Sequence, residues 1–81
     1  MFKDEMIFFK ENQAALVKKH RGKILVIKGS DLIGVYDNVL EALKETNKEH
    51  KLGTFMLQPC QPGPEAYTVT ISTLGMIKSV G

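Results

Sequence analysis

The sequence has no tryptophan, a single cysteine and no hydrophobic run of the length that a membrane span requires. Because Cys60 is alone, no disulfide can form within the chain, and no spacing of His and Cys matches a zinc-ligand set. The N-terminal region offers only the four-residue apolar run from Met6 to Phe9, which is well short of a signal-peptide core. These absences predict a cytoplasmic protein of a reducing compartment that does not contact a membrane.

The chain length and charge predict one small domain without an obvious charged partner. Eighty-one residues, of which 43% are hydrophobic, suffice for one modest core and not for two, so residues 1–81 are expected to form a single globular domain. The net charge of +2 arises from acids and bases that are mostly interspersed along the chain. A field this weak does not by itself predict binding to nucleic acid or to an anionic membrane.

Hydrophobic periodicity predicts a first amphipathic helix over about residues 4–20. At 100° per residue, an apolar stripe faces one way and charged residues such as Glu5 and Glu11 face the other, while Phe8 projects from the polar side. Gly22 then suits the C-terminal cap of this helix. The stripe consists of Phe2, Met6, Phe9, Gln13, Leu16, Val17 and His20.

The next segments predict a hairpin followed by a second helix. KILVIK is an unbroken apolar run between lysines, which is typical of a strand covered on both faces, and LIGVY returns after a turn at residues 29–31. Asp37 or Asn38 can cap the second helix, and Asn38 with Glu41 has the spacing of a capping box. Gly53 is expected to end this helix. The apolar face of this helix contains Val39, Ala42, Leu43, Thr46 and His50, with Leu40 at its edge.

The last third predicts two more strands and completes an α+β fold of order α-β-β-α-β-β. GTFMLQP suits a strand with Phe55 and Leu57 on one face, PCQPGPEA suits a loop, and YTVTISTL at residues 67–74 alternates as a strand does. A right-handed crossover through the second helix would place the third strand beside the first, giving the order 2-1-3-4. The expected product is a small, largely antiparallel sheet with two helices packed on it.

The sequence predicts no catalytic residue, cofactor, metal ion or small-molecule substrate. Cys60 is a candidate nucleophile that His20 or His50 could activate, but nothing in the sequence places these residues together, so an ordinary free thiol is expected. The histidines, Asp31 and Asp37 lack the spacing of metal ligands. The strand-to-helix junction VYDN has no phosphate-binding glycine pattern. The chain is therefore not expected to be an enzyme.

One basic cluster leaves a nucleic-acid-binding function open as the alternative. The segment KKHRGK, together with one further lysine, could present a positively charged patch to phosphates. Lysines at a helix C-terminus and at strand ends are also frequent for structural reasons, which makes this function the weaker hypothesis. The cluster consists of Lys18, Lys19, Arg21, Lys23 and Lys28.

The distribution of charge along the chain is the strongest anomaly. Of the twenty charged residues, eighteen lie in residues 1–51, and residues 66–77 contain none. Edge strands usually carry lysine, proline or a bulge that prevents pairing with other chains. An uncharged strand here should therefore either lie inside the sheet or pair with a second chain, and the limited cover in so small a domain favours the second chain. We therefore expect a non-enzymatic interaction or oligomerisation module that binds a second copy or another protein through Tyr67, Val69 and Ile71.

The sequence resembles a family of short prokaryotic domains of unknown function. The resemblance lies in FKENQAALVKKHRGKILVIK followed by IGVYDNVLEAL, and it extends over about residues 9–70. The shared pattern is a helix, Gly-Lys before an apolar strand, a tight turn, a second strand, and a helix with Glu-Ala near its start; in this chain its markers are Gly22, Lys23, Ile24–Ile27, Glu41 and Ala42. His20 departs from the pattern, which has an aromatic residue there. The resemblance implies the fold and assigns no activity, cofactor or partner.

Overall fold

The structure, a computed structural model, describes the backbone of residues 2–69 and 71–72 and the side chains of residues 2–66. Its elements are α1 (Lys3–His20), β1 (Ile24–Lys28), β2 (Asp31–Tyr36), α2 (Val39–Thr46), β3 (Met56–Pro59), a 3₁₀ helix (Pro64–Val69) and β4 (Ile71–Ser72). The strands form one antiparallel sheet in the order β2-β1-β3-β4. The predicted α+β fold and the predicted strand order are therefore confirmed.

The central strand β1 explains how the two helices come to lie on opposite faces of the sheet. Leu25 and Ile27 point into a core that α1 covers, whereas Ile24 and Val26 point into a second core that α2 covers. Successive side chains of a strand alternate between faces, so an unbroken apolar run supplies both cores at once. This arrangement is the physical reason that KILVIK has no polar residue between its lysines.

Helix α1 packs through one stripe and ends where the sequence predicts. Phe9 is fully buried and Leu16 nearly so, in the core beneath β1 and β3. Gly22 has a positive φ of 86°, and the Lys23 amide donates to the carbonyl of His20, so the chain turns sharply into β1. The helix also buries part of Phe8 against this core, so the prediction that Phe8 projects from the polar side is wrong.

Glu5 corrects the predicted polar face of α1. Only 9% of this residue is exposed, and its Oε2 accepts a hydrogen bond of 2.7 Å from the backbone amide of Gly29. Gly29 lies in the β1–β2 turn with a φ of 62°, which a glycine adopts without strain. A carboxylate bound by a backbone amide tolerates burial that an isolated one would not. The first turn of α1 is thereby fixed to the hairpin.

Among the described strands, β2 is the outer one on its side of the sheet, and it contains a bulge. Gly34 lies opposite Val26 and Leu32 lies opposite Ile27, which leaves Ile33 as an extra residue without its own partner position. Bulges increase local twist and disrupt the regular row of backbone groups on which another chain could pair. This edge is therefore poorly suited to strand addition.

Helix α2 begins as predicted and ends earlier. The Asn38 side chain accepts a hydrogen bond of 2.8 Å from the Glu41 amide, which confirms the N-terminal cap. The helix stops at Thr46, and residues 47–50 form turns in which the Glu49 amide bonds to the Thr46 carbonyl. The expectation that Gly53 ends this helix is wrong, because the apolar stripe that would hold further turns against the sheet fades after Thr46.

The segment after β3 corrects the predicted extent of the fourth strand. Residues 67–69 belong to a 3₁₀ helix rather than to a strand, and of the residues described after this helix Ile71 and Ser72 pair with β3. The fully buried Gln58 explains how this segment is held, because its Nε2 donates 2.7 Å to the Ala66 carbonyl. A strand running from residue 67 would displace Ala66 from this bond and from the core, where Ala66 is buried.

Candidate functional site

The predicted partner-binding residues divide between two backbone environments. Tyr67 and Val69 lie in the 3₁₀ helix, whereas Ile71 lies in β4 opposite Leu57. Their side chains are outside the part of the chain that the structure describes. A continuous strand carrying all three residues on one face is therefore not formed, and Ile71 is the one member located on the sheet edge.

The backbone of β4 presents polar groups on its outer side. In an antiparallel pair, hydrogen-bonded and non-hydrogen-bonded positions alternate. The Cys60 amide donates to the Lys23 carbonyl, so the backbone polar groups of Cys60 face β1. Because the direction alternates along a strand, those of Gln58 and Met56 also face β1, and those of Leu57 face the other way. The backbone groups of Leu57 therefore bond to those of Ile71. The next residue of β4, Ser72, directs its N–H and C=O away from β3. Within the described residues, β4 is the last strand on this side of the sheet.

The loop that leads to β4 is anchored to the body of the protein by a second glutamine. Gln13, on α1, donates from Nε2 to the carbonyls of Gln61 and Gly63, each at 2.9 Å. Together with the buried bond of Gln58 to Ala66, these contacts hold the 61–66 segment through three of its carbonyls. The edge at β4 therefore starts from a loop that specific hydrogen bonds restrain.

An apolar groove on the outer side of α2 is the second candidate surface. Leu40 is 76% exposed, the largest exposure of a large apolar residue among those that the structure describes. It forms one wall of a groove of about 330 Å³ whose other lining residues are Leu43, Lys44, Asn47 and Leu52. The sequence placed Leu40 only at the edge of the apolar face. Sequence reasoning missed this groove because the groove depends on Leu52, which follows the helix and turns back to extend the apolar surface.

Cys60 lies in the core and not on a reactive surface. It is fully buried beside Phe9, Leu25 and Ala66, and its backbone amide and carbonyl bond to Lys23 and Gly22. Burial raises the pKa of the Cys60 thiol, because a thiolate would lose its hydration there. The expectation of an ordinary free thiol therefore gains a physical basis.

This burial predicts slow alkylation of Cys60. At neutral pH, iodoacetamide should modify Cys60 at least about tenfold more slowly than it modifies glutathione, because reaction requires a local opening as well as deprotonation. Mass spectrometry of timed samples measures the rate, and the same protein in urea provides the control, since unfolding should restore the rate of a free thiol. Labelling of the folded protein as fast as glutathione would contradict the burial.

Among the described residues, neither histidine forms a hydrogen bond with Cys60. His50 Nδ1 is 3.3 Å from Lys28 Nζ, on the α2 side of the sheet, and His20 occupies the last turn of α1. Within the described residues, no group of three or more His, Cys, Asp or Glu side chains is arranged to hold a metal ion. A small polar pocket of about 90 Å³ lies nearby, lined by Ile33, Tyr36, Glu45, Thr46, Glu49 and His50.

The five basic residues are all exposed but do not form one even patch. Lys23 pairs with Asp37, which neutralises part of its charge. Lys28 stands at the other end of β1, about 16 Å from Lys23 at the usual rise of a strand. The remaining three, Lys18, Lys19 and Arg21, lie at the C-terminal end of α1 where the helix dipole favours positive charge.

Comparisons with known proteins do not extend this description. No protein-family model, no curated protein and no solved structure matches the chain. A search of the described helices for one both long and apolar enough to cross a bilayer also finds none.

Proposed function

We propose that this protein is a non-enzymatic interaction or oligomerisation module that binds protein partners. The observation that carries the proposal is Leu40, which stands 76% exposed above the groove on α2. Exposing a leucine on a helix that already buries Ala42 and Thr46 against the sheet leaves the helix apolar on two sides. Contiguous apolar surface of this kind, rimmed by polar residues, is typical of protein contact sites.

The edge strand β4 supplies a second contact surface under the same proposal. Ser72 directs its backbone polar groups away from β3, and the surrounding sequence from residue 66 to residue 77 carries no charge that would repel another strand. The proposed partner contact at Tyr67, Val69 and Ile71 is then a strand addition along β4, in which Ser72 supplies the outward backbone groups and the 3₁₀ segment lies beside it.

The alternative function, weak nucleic-acid binding, receives less support from the geometry. Phosphate binding gains most when several cations converge on one face, because each neutralised phosphate releases a counterion. Here Lys23 is paired with Asp37, and Lys28 lies at the opposite end of β1. We therefore favour the interaction module.

Photo-crosslinking in host cells tests the proposal at both surfaces. A benzophenone amino acid at position 44 samples the α2 groove, one at position 72 samples the β4 edge, and one at position 19 on the exposed C-terminal end of α1 is the matched control. We expect discrete protein adducts from position 44 or position 72 at several times the yield from position 19. Equal yields from all three positions would contradict the proposal.

A further inference from the structure

The α2 surface carries a projecting side chain and a recess next to each other. Leu40 projects from the first turn of the helix, and the recess beside it is bounded by Leu43, Lys44, Asn47 and Leu52. A two-fold contact is formed when the same patch of both copies meets and residue i of one touches residue j of the other in both directions. A patch with its projection and its recess side by side meets this condition.

We infer that the occupant of this surface is a second copy of the chain, bound through an antiparallel α2–α2 contact about a two-fold axis. Leu40 of each copy enters the recess between Leu43 and Leu52 of the other, as a knob enters a hole between packed helices. The axis then passes close to residues 43 and 44. The inference rests on the proposed interaction function and names the partner and the contacting residues.

Charges along α2 complement each other in this orientation. At 100° per residue, Glu41 and Lys44 lie on the same exposed flank, with Glu41 nearer the N-terminal end of α2. Lys48 follows the helix and pairs with Glu45, so it does not belong to this flank. About the proposed axis, an antiparallel partner brings Glu41 of each copy beside Lys44 of the other. The two helix dipoles also oppose each other favourably.

The size of the contact sets the expected affinity. An eight-residue helix is about 12 Å long, so the contact is smaller than the roughly 800 Å² per partner of a standard interface. Lys44 of both copies lies near the axis, which further limits the attraction. We expect a dimer with a dissociation constant of about 0.1–1 mM, which forms at high local concentration.

Sedimentation equilibrium over protein concentrations up to about 2 mM, in low salt, measures this association. The wild-type protein should show a monomer–dimer equilibrium, and Leu40→Gln should raise its dissociation constant at least about 100-fold, because two leucines leave the interface per dimer. Leu40 is mostly exposed, so this change should leave the monomer folded by circular dichroism. The matched control is Ile7→Gln, since Ile7 is an exposed apolar residue on the other helix, at 43%.

A charge exchange tests the orientation independently of the apolar contact. Glu41→Lys should weaken the dimer about threefold to tenfold by placing like charges on facing flanks, and adding Lys44→Glu should restore most of the affinity. A wild-type protein that stays monomeric at about 2 mM overturns the inference, as does a dimer insensitive to Leu40→Gln or weakened equally by Ile7→Gln.

The crosslinking experiment separates this inference from the proposed function. An adduct of twice the chain mass from position 44 agrees with self-association through α2. Adducts of other masses from position 44, with a monomeric purified protein, retain the interaction function and overturn the second copy as the partner. If position 44 gives neither kind of adduct and position 72 gives no adduct, both proposals are overturned.

Discussion

Replacing Phe9 with alanine should destabilise the protein by about 3–5 kcal/mol. Phe9 is fully buried between α1 and the sheet, where it contacts the core that includes Leu25, Ile27 and Met56. The ring is too large for its neighbours to fill the space that it leaves, so a cavity adds to the lost transfer free energy. Because a domain of this size has a free energy of unfolding of roughly 4–12 kcal/mol, the variant should be largely unfolded well below the wild-type melting temperature.

Phe8→Ala is the matched control for this change, since the two residues are adjacent and the substitution is chemically the same. Phe8 is only half-buried at the margin of the same core, so its loss should cost about 1–2 kcal/mol. Urea unfolding followed by circular dichroism gives both values. If Phe8→Ala were as costly as Phe9→Ala, the orientation of α1 described above would be wrong.

Gln58→Ala should cost about 2–3 kcal/mol and should loosen the C-terminal segment in particular. The Gln58 side chain is fully buried, and its Nε2 donates to the carbonyl of Ala66 at 2.7 Å and to that of Pro59 at 3.1 Å. Alanine removes the Nε2 donor and leaves the buried carbonyl of Ala66 without that hydrogen bond. The 3₁₀ helix then loses the contact that fixes it beside β3.

Hydrogen exchange distinguishes this local effect from general destabilisation. Amides of residues 66–69 and 71–72 should lose protection by more than those of β1 and β2, because the β1–β2 hairpin keeps its own hydrogen bonds. The control is Gln61→Ala, whose side chain is exposed while its backbone carbonyl still accepts from Gln13. A uniform loss of protection across the sheet in Gln58→Ala would contradict a specific anchoring role.

The central hairpin and the first helix could be predicted because local and tertiary requirements agree there. The unbroken run from Ile24 to Ile27 fits only a strand with a core on each face, and that condition also places it between two neighbours. Gly22 at the helix end and Asn38 at the next helix start each satisfy backbone groups that the sequence pattern already implied.

Other features depend on contacts between residues far apart in the chain, and periodicity carries no record of them. Glu5 belongs to the polar pattern of α1 and becomes buried only because the turn at Gly29 offers a backbone amide. The alternation of residues 67–74 predicts a strand, yet the bond from Gln58 to Ala66 holds the first part as a 3₁₀ helix. Pattern reasoning weighs each segment alone and cannot include such partners.

The candidate surfaces show the same division. The uncharged C-terminal third was evident from composition, and Ile71 does lie on a sheet edge. The α2 groove was not evident, because Leu40 takes its place beside the apolar face in any helical projection. The exposure of Leu40 follows from the position of α2 over β1 and β2, and the depth of the groove follows from the return of the chain at Leu52.

Strand β1 lies between β2, which follows it directly in the chain, and β3, which is synthesised later. This order has a consequence during synthesis. The β1–β2 hairpin can close as soon as it emerges from the ribosome, but the other side of β1 and the buried face of α1 must wait for residues 56–66. Until then the nascent chain exposes apolar surface to water or to chaperones. A product interrupted before β3 would therefore be a substrate for proteolysis and not a smaller folded protein.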